Sequence, residues 1–225
     1  MPKTAIILGA TGLTGGLLLH NLLEDDRYEK IKLFSRKSVE INHPKIEEHL
    51  VDLLKLKEEK DKFTADEVFC CIGTTKSKTP DEKKYSSIDR GIPIAAAKLC
   101  KENNIDTFSV VSALGANPKS RMFYNRTKGK MEDEVLAQEI KNTYILQPSL
   151  ITGERKENRS SEKVGKIMLN FLNPFFLGTL RKYKSISAES IAEAMVKITN
   201  SSELSLKRIP SDEIKNIANS NYGGN

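Results

Sequence analysis

Tyr124 and Lys128 stand four residues apart in Phe123-Tyr124-Asn125-Arg126-Thr127-Lys128. The surrounding pattern predicts a helix over 123–139, and residues at that spacing share one face. A phenol ordinarily loses its proton near pH ~10, and a neighbouring ammonium stabilises the phenolate and lowers that value. The pair could therefore supply an acid or base usable near neutral pH. Ser112 follows Thr107-Phe108-Ser109-Val110-Val111, an apolar run that reads as a strand. Open α/β sheets place their ligands at the C-terminal ends of strands, where the Ser112 hydroxyl could hold a carbonyl oxygen beside Tyr124. Without context, a Tyr-x-x-x-Lys pair is equally an ordinary feature of an exposed helix face.

The N-terminus supplies a context. Thr4-Ala5-Ile6-Ile7-Leu8 reads as a buried parallel strand, Gly9-Ala10-Thr11-Gly12-Leu13-Thr14-Gly15 as a glycine loop, and Leu17 to Leu22 as the continuing helix. Strand, glycine loop and helix in that order suit a dinucleotide pyrophosphate. Glycines permit close backbone approach, and a helix start presents unpaired N–H groups and a positive dipole end. The spacing is G-x-x-G-x-x-G and not the commoner G-x-G-x-x-G. The glycines alone would also suit a plain strand-to-helix turn.

Two further positions bear on the ligand. The second strand, Lys30-Ile31-Lys32-Leu33-Phe34-Ser35, runs into Arg36-Lys37, where an NAD site would place an acidic residue for the ribose 2′-hydroxyl. A guanidinium and a hydroxyl there suit a 2′-phosphate, so NADP(H) is the expected cofactor. A solvated basic turn is the alternative. The third strand, Ile46 to Val51, ends at Asp52-Leu53, where an adenine ring would lie in a doubly wound sheet. Glu67 to Ile72 is the fourth strand, and Gly73 after it lets backbone approach a ligand.

These elements belong to a regular alternation. A short charged helix covers Lys55 to Lys62, and a long one covers Asp81 to Asn103, with a kink expected at Pro93. Thr143 to Leu146 is the sixth strand. Ala188 to Thr199 reads as an amphipathic helix capped by Ser187, and Leu206 to Ile209 as a seventh strand. Alternating strands and helices predict one α/β domain, a doubly wound parallel sheet of about six or seven strands with helices on both faces. The domain is expected over 1–218, with a small charged lid at about 154–186 and a frayed tail at 219–225. Within the lid, Phe171, Leu172, Phe175, Phe176 and Leu177 read as a packing helix and turn, or as a pocket wall or homodimer contact.

Composition narrows the class. The 225 residues are 38% hydrophobic and 29% charged, which describes a folded globular chain. The 36 basic and 30 acidic residues are interspersed, without the basic–aromatic stripe of a nucleic-acid surface. No apolar run reaches the ~20 residues of a membrane span, and nothing resembles a signal peptide. Cys70, Cys71 and Cys100 have neither metal-site spacing nor an even pairing set, so reduced thiols in a cytoplasm are expected, with no metal.

Several of these segments together resemble the atypical short-chain dehydrogenases/reductases, in the branch of the Tat-interacting-protein-like NAD(P)-binding proteins. They are the glycine loop, Cys71-Ile72-Gly73-Thr74-Thr75, Val111-Ser112-Ala113-Leu114-Gly115-Ala116, the Tyr124/Lys128 pair, and Leu146-Gln147-Pro148-Ser149-Leu150-Ile151-Thr152-Gly153. The resemblance spans nearly the whole chain. It implies a Rossmann fold binding NADP(H), with Gly9, Thr11, Gly12, Leu13 and Thr14 on the pyrophosphate and Arg36 on the 2′-phosphate. Asp52 and Leu53 would flank the adenine, Gly73 and Thr74 the nicotinamide ribose, and Pro148 the nicotinamide. Tyr124 would be the acid/base, Lys128 its partner and a ribose ligand, and Ser112 the carbonyl orienter. Many relatives carry an asparagine where Asp89 falls here. The implied activity is oxidoreduction of a small carbonyl or alcohol. A cofactor-binding regulator with a protein partner and an epimerase-like enzyme are the alternatives.

Overall fold

The computed structural model describes residues 2–153, 183–201 and 207–220. Seven parallel strands form the main sheet. They are β1 (Lys3–Leu8), β2 (Tyr28–Ser35), β3 (Ile46–Leu50), β4 (Glu67–Cys70), β5 (Thr107–Val111), β6 (Asn142–Gln147) and β9 (Arg208–Pro210), in the order β3-β2-β1-β4-β5-β6-β9. The order reverses between β1 and β4. That is the switch point of a doubly wound sheet, where a crevice opens at the strands' C-terminal ends. A separate two-stranded pair joins β7 (Ile151–Thr152) to β8 (Ile186–Ser187).

Side chains alternate across the sheet with period two. Ala5 and Ile7 of β1 face one core with Leu18 and Leu22 of helix α1 (Leu13–Glu24), Ile191 and Met195 of α5 (Ala188–Thr199), and Ile214 of α6 (Ser211–Asn219). Ile6 and Leu8 face the other core with Leu53 and Leu56 of a 3-10 helix (Leu53–Glu59), Leu99 of α3 (Ile92–Glu102), and Met131 and Val135 of α4 (Phe123–Leu136). Helices thus cover both faces.

The expected long helix over 81–103 is α2 (Glu82–Ser86), a π-helical turn (Ser87–Gly91) and α3. The disruption expected at Pro93 lies one turn earlier. Proline has no N–H for the carbonyl four residues back, and the Ile92 N–H instead reaches the Ser87 carbonyl, five residues away. Asp89 sits inside this turn, a distortion that often marks functional sites. The charged helix expected at 55–62 is the 3-10 helix over 53–59, with Asp52 accepting from the Leu54 N–H at 3.0 Å as its cap. Ser187 caps α5 as expected, accepting from the Ser190 N–H at 3.1 Å. Helix α6 and the β7–β8 pair were not among the expected elements. The segment 154–182, which holds most of the expected lid and all five of its apolar residues, lies outside the described residues, as does the tail at 221–225.

Candidate active site

The glycine loop crosses from β1 to α1 at the switch point. Gly9 has φ +93°, a conformation that side-chain-bearing residues rarely adopt. A Cβ at Gly15 would lie 2.2 Å from the Gly9 carbonyl oxygen, so loop and helix touch backbone to backbone. The start of α1 carries no side-chain cap at Gly12 and no acidic residue in its first turn. Its first N–H groups therefore face the crevice without a carboxylate competing for them. Thr11 and Gly12 are exposed, and Leu13 and Thr14 half-buried.

Arg36 is exposed directly after β2, and no side-chain partner occupies it among the described residues. Ser35 is buried and donates its hydroxyl hydrogen to the Lys37 carbonyl at 2.6 Å, which orders the turn carrying Arg36. Around the expected adenine site the side chains are already engaged. The Asp52 carboxylate caps the 3-10 helix, and Leu53 is 5% exposed within the core. Leu53 can offer a ring its backbone but not its side chain.

Lys128, one of the expected reacting groups, lies between the ends of β4 and β5. Lys128 and Asp89 form a buried ion pair, Nζ to Oδ1 at 3.1 Å, with side chains 4% and 1% exposed. The second Asp89 oxygen accepts from the Thr74 N–H at 2.7 Å, and a Cβ on Gly73 would lie 3.7 Å from Asp89 Oδ1. Lys128 also donates to the Val111 carbonyl at 3.5 Å. Tyr85 fixes the same turn, donating its hydroxyl hydrogen to the Thr74 carbonyl at 3.3 Å. One helical turn from Lys128, Tyr124 is 42% exposed at the mouth.

Electrostatics correct the expectation for Tyr124. Its phenol pKa is raised, because removal from water opposes the phenolate; Lys128 pulls the value down and Asp89 pushes it back up. For Lys128, burial opposes the ammonium, but Asp89 and then Tyr124 outweigh it and leave its pKa raised. Lys128 is charged, and Asp89 offsets part of its pull on the phenol.

Ser112 is buried directly after β5. Its hydroxyl donates to Glu132 Oε1 at 2.5 Å. Glu132, 2% exposed, also accepts from Gln147 Nε2 at 2.9 and 3.0 Å and from Arg208 Nε at 2.8 Å. A hydroxyl has one hydrogen to give, so Ser112 has none left for a ligand while it bonds Glu132. Glu132, Gln147 and Arg208 were not among the expected site residues. Glu132 lies four residues past Lys128, and a carboxylate on a helix's buried face was the available signal. Pro148 is buried at the end of β6, and its carbonyl accepts from the Leu114 N–H at 2.8 Å, tying the two strand ends together.

A seven-stranded doubly wound sheet with a glycine loop at its switch point and a Tyr/Lys helix beyond it defines a Rossmann-type dinucleotide-binding protein. Comparison with known proteins carries this further. The chain belongs to the NAD(P)H-binding family of atypical short-chain dehydrogenases/reductases, whose family model matches residues 9–202. It is 30% identical over 202 residues to "Protein FMP52, mitochondrial" of Debaryomyces hansenii, covering 88% of each chain. To "Protein HTATIP2" of Rattus norvegicus it is 30% identical over 164 residues, covering 71% of this chain and 67% of that one. Among solved structures, UDP-glucuronic acid 4-epimerase from Bacillus cereus in complex with NAD superposes with a TM-score of 0.69 at 14% identity, over 92% of this chain and 77% of that chain. At that identity the likeness concerns the fold. No helix among the described residues is long and apolar enough to cross a membrane.

Proposed function

We propose that this protein is an NADP(H)-dependent oxidoreductase that reduces a small carbonyl compound, with Tyr124 giving the proton. The observation carrying the reading is the buried Lys128–Asp89 pair held against the Thr74 N–H, with Tyr124 one helical turn away at the open mouth. The uncapped start of α1 and the backbone contact at Gly15 fit a pyrophosphate. Gly9, Thr11, Gly12, Leu13 and Thr14 would hold that group and Arg36 the 2′-phosphate, with backbone of Asp52 and Leu53 near the adenine. Gly73, Thr74 and Lys128 would hold the nicotinamide ribose, and Pro148 would wall the nicotinamide. When bound, NADPH supplies the hydride.

The chain's own residues do the rest. Tyr124 donates its phenolic hydrogen to the substrate oxygen and transfers that proton as negative charge develops there. Its exposure lets water return the proton afterwards. Lys128 stays buried and fixed by Asp89, so it anchors rather than moves. Ser112 accepts a hydrogen bond from the product hydroxyl, because its own hydrogen goes to Glu132. One observation favours a second reading, a cofactor-binding regulator without turnover: that committed Ser112 hydrogen leaves a carbonyl one donor fewer. Free Cys70, Cys71 and Cys100 suit a reducing compartment such as the cytoplasm, although the name of the Debaryomyces relative says mitochondrial. The test is NADPH consumption by the purified protein across aldehydes, ketones and quinones. Turnover of at least one class is expected. NADPH binding without turnover of any would replace this reading with the regulator.

A further inference from the structure

We propose that Asp89 is a positioning residue that, by pinning the Lys128 ammonium and offsetting its charge, helps burial keep Tyr124 in its proton-bearing form and so extends carbonyl reduction to higher pH. The inference rests on the oxidoreductase reading for its direction, but its physical core concerns three side chains of this chain alone.

The geometry is specific. Asp89 lies in the π-helical turn, and one carboxylate oxygen is fixed by the Thr74 N–H at 2.7 Å. The other is left to face Lys128 Nζ at 3.1 Å. Both side chains are buried, so water does little to screen the attraction. A lone ammonium four residues along the helix would stabilise a Tyr124 phenolate. A closely paired one presents a dipole instead, and a dipole's pull fades faster with distance than a charge's. Burial opposes the Tyr124 phenolate most; among the described residues, Lys128 on its own helix favours the phenolate and Asp89 on the π turn opposes it. Tyr85 of α2 also interacts with Tyr124, and Cys70 at the end of β4 with Lys128. Lys128 is the cation in this set, and Asp89 offsets part of its pull.

The chemistry has a direction. In reduction, hydride arrives at the carbonyl carbon, the oxygen takes the phenolic proton, and the resulting phenolate recovers a proton from water. In oxidation, the alcohol's proton must go to a phenolate that exists beforehand. A site that keeps the phenol protonated carries out the first step up to high pH, and the second reaches its full rate only above the phenol's own step.

The primary readout needs neither substrate nor turnover. The chain has 6 tyrosines and no tryptophan, so tyrosinate absorbance can be followed without indole overlap. The Tyr124 contribution is the difference between each protein and its Tyr124→Phe form. Asp89→Asn keeps the shape and can still accept the Thr74 N–H, but removes the charge. It should move the Tyr124 step down by about one pH unit or more, the usual effect of one uncompensated neighbouring charge. The pH at which kcat/KM for carbonyl reduction begins to fall, and that at which kcat/KM for alcohol oxidation levels off, should both move down with it. A Tyr124 step that stays in place overturns the proposal.

Should Asp89→Asn fail to fold, the Asp89→Asn/Lys128→Met double variant decides. Removing both charges should leave the Tyr124 step within about half a unit of the parent, and an upward move of a full unit would show that Lys128 was acting on the phenol despite Asp89. A shifted step in Asp89→Asn, joined to NADPH binding but no turnover by the parent, supports the hold of Asp89 on Tyr124 and overturns only the carbonyl-reduction reading.

Discussion

Glu132→Ala tests whether the buried carboxylate is a keystone of the site or an incidental contact. Removing it leaves the Ser112 hydroxyl without its acceptor and the Gln147 amide without two contacts, at 2.5 Å and at 2.9 and 3.0 Å. A buried donor stripped of its partner costs ~1–3 kcal/mol. Arg208 adds little, because it is 42% exposed and keeps Asp133 Oδ1 at 2.7 Å. The loss should total about 3 kcal/mol, or about 6–12 °C in Tm for a chain of this size. Urea unfolding would read it as a lower midpoint at unchanged slope. Asp133→Ala, one residue along and exposed, should cost at most ~0.5 kcal/mol. Adding Ser112→Ala to Glu132→Ala should recover part of the loss by deleting the orphaned donor. If Glu132→Ala unfolds within about 2 °C of the parent, or no earlier than Asp133→Ala, the network does not carry the energy assigned to it.

Two other outcomes follow from the same structure. Arg36→Ala should remove most of a preference for NADPH over NADH worth ~1.5–3 kcal/mol, about one to two decades in affinity; equal affinities of the parent for the two cofactors by calorimetry would refute the role of Arg36. Stability should also fall at alkaline pH, because burial pushes the Cys70 thiol up to about 11, with Cys71 and Cys100 raised as well. A folded pKa above the unfolded value gives stability that is whole below pH ~9 and is lost as pH rises through the folded value. Cys70 alone should contribute a loss of about 2 kcal/mol between pH 8 and 10.5, read by urea unfolding under reducing conditions, and a flat or rising midpoint would contradict it.

The fold was legible wherever burial on both faces of the sheet demands continuous apolar runs. Such strands lack an apolar–polar alternation, yet Ala5-Ile6-Ile7-Leu8 and Phe108 to Val110 read correctly because every side chain there is buried against a helical layer. Strands β7 and β8, two residues each, are too short for any periodicity to register, whereas the seventh strand expected at Leu206–Ile209 overlaps β9. Tyr124 and Lys128 could be paired from spacing alone, since helix geometry fixes their relation. The sign of the Tyr124 shift could not, because it depends on desolvation and on a carboxylate delivered by a π turn from another helix. The direction of the Ser112 hydroxyl was hidden for the same reason: its acceptor lies twenty residues away, on a helix that packs over the strand end.

The central claim is that Tyr124 gives a proton during NADPH-driven carbonyl reduction. Its most direct test is Tyr124→Phe, which deletes one hydroxyl and keeps the ring, measured for both NADPH affinity and carbonyl reduction. Affinity should stay nearly constant while turnover falls by about two to four decades, the usual worth of a positioned acid. Turnover that survives the substitution would contradict the claim.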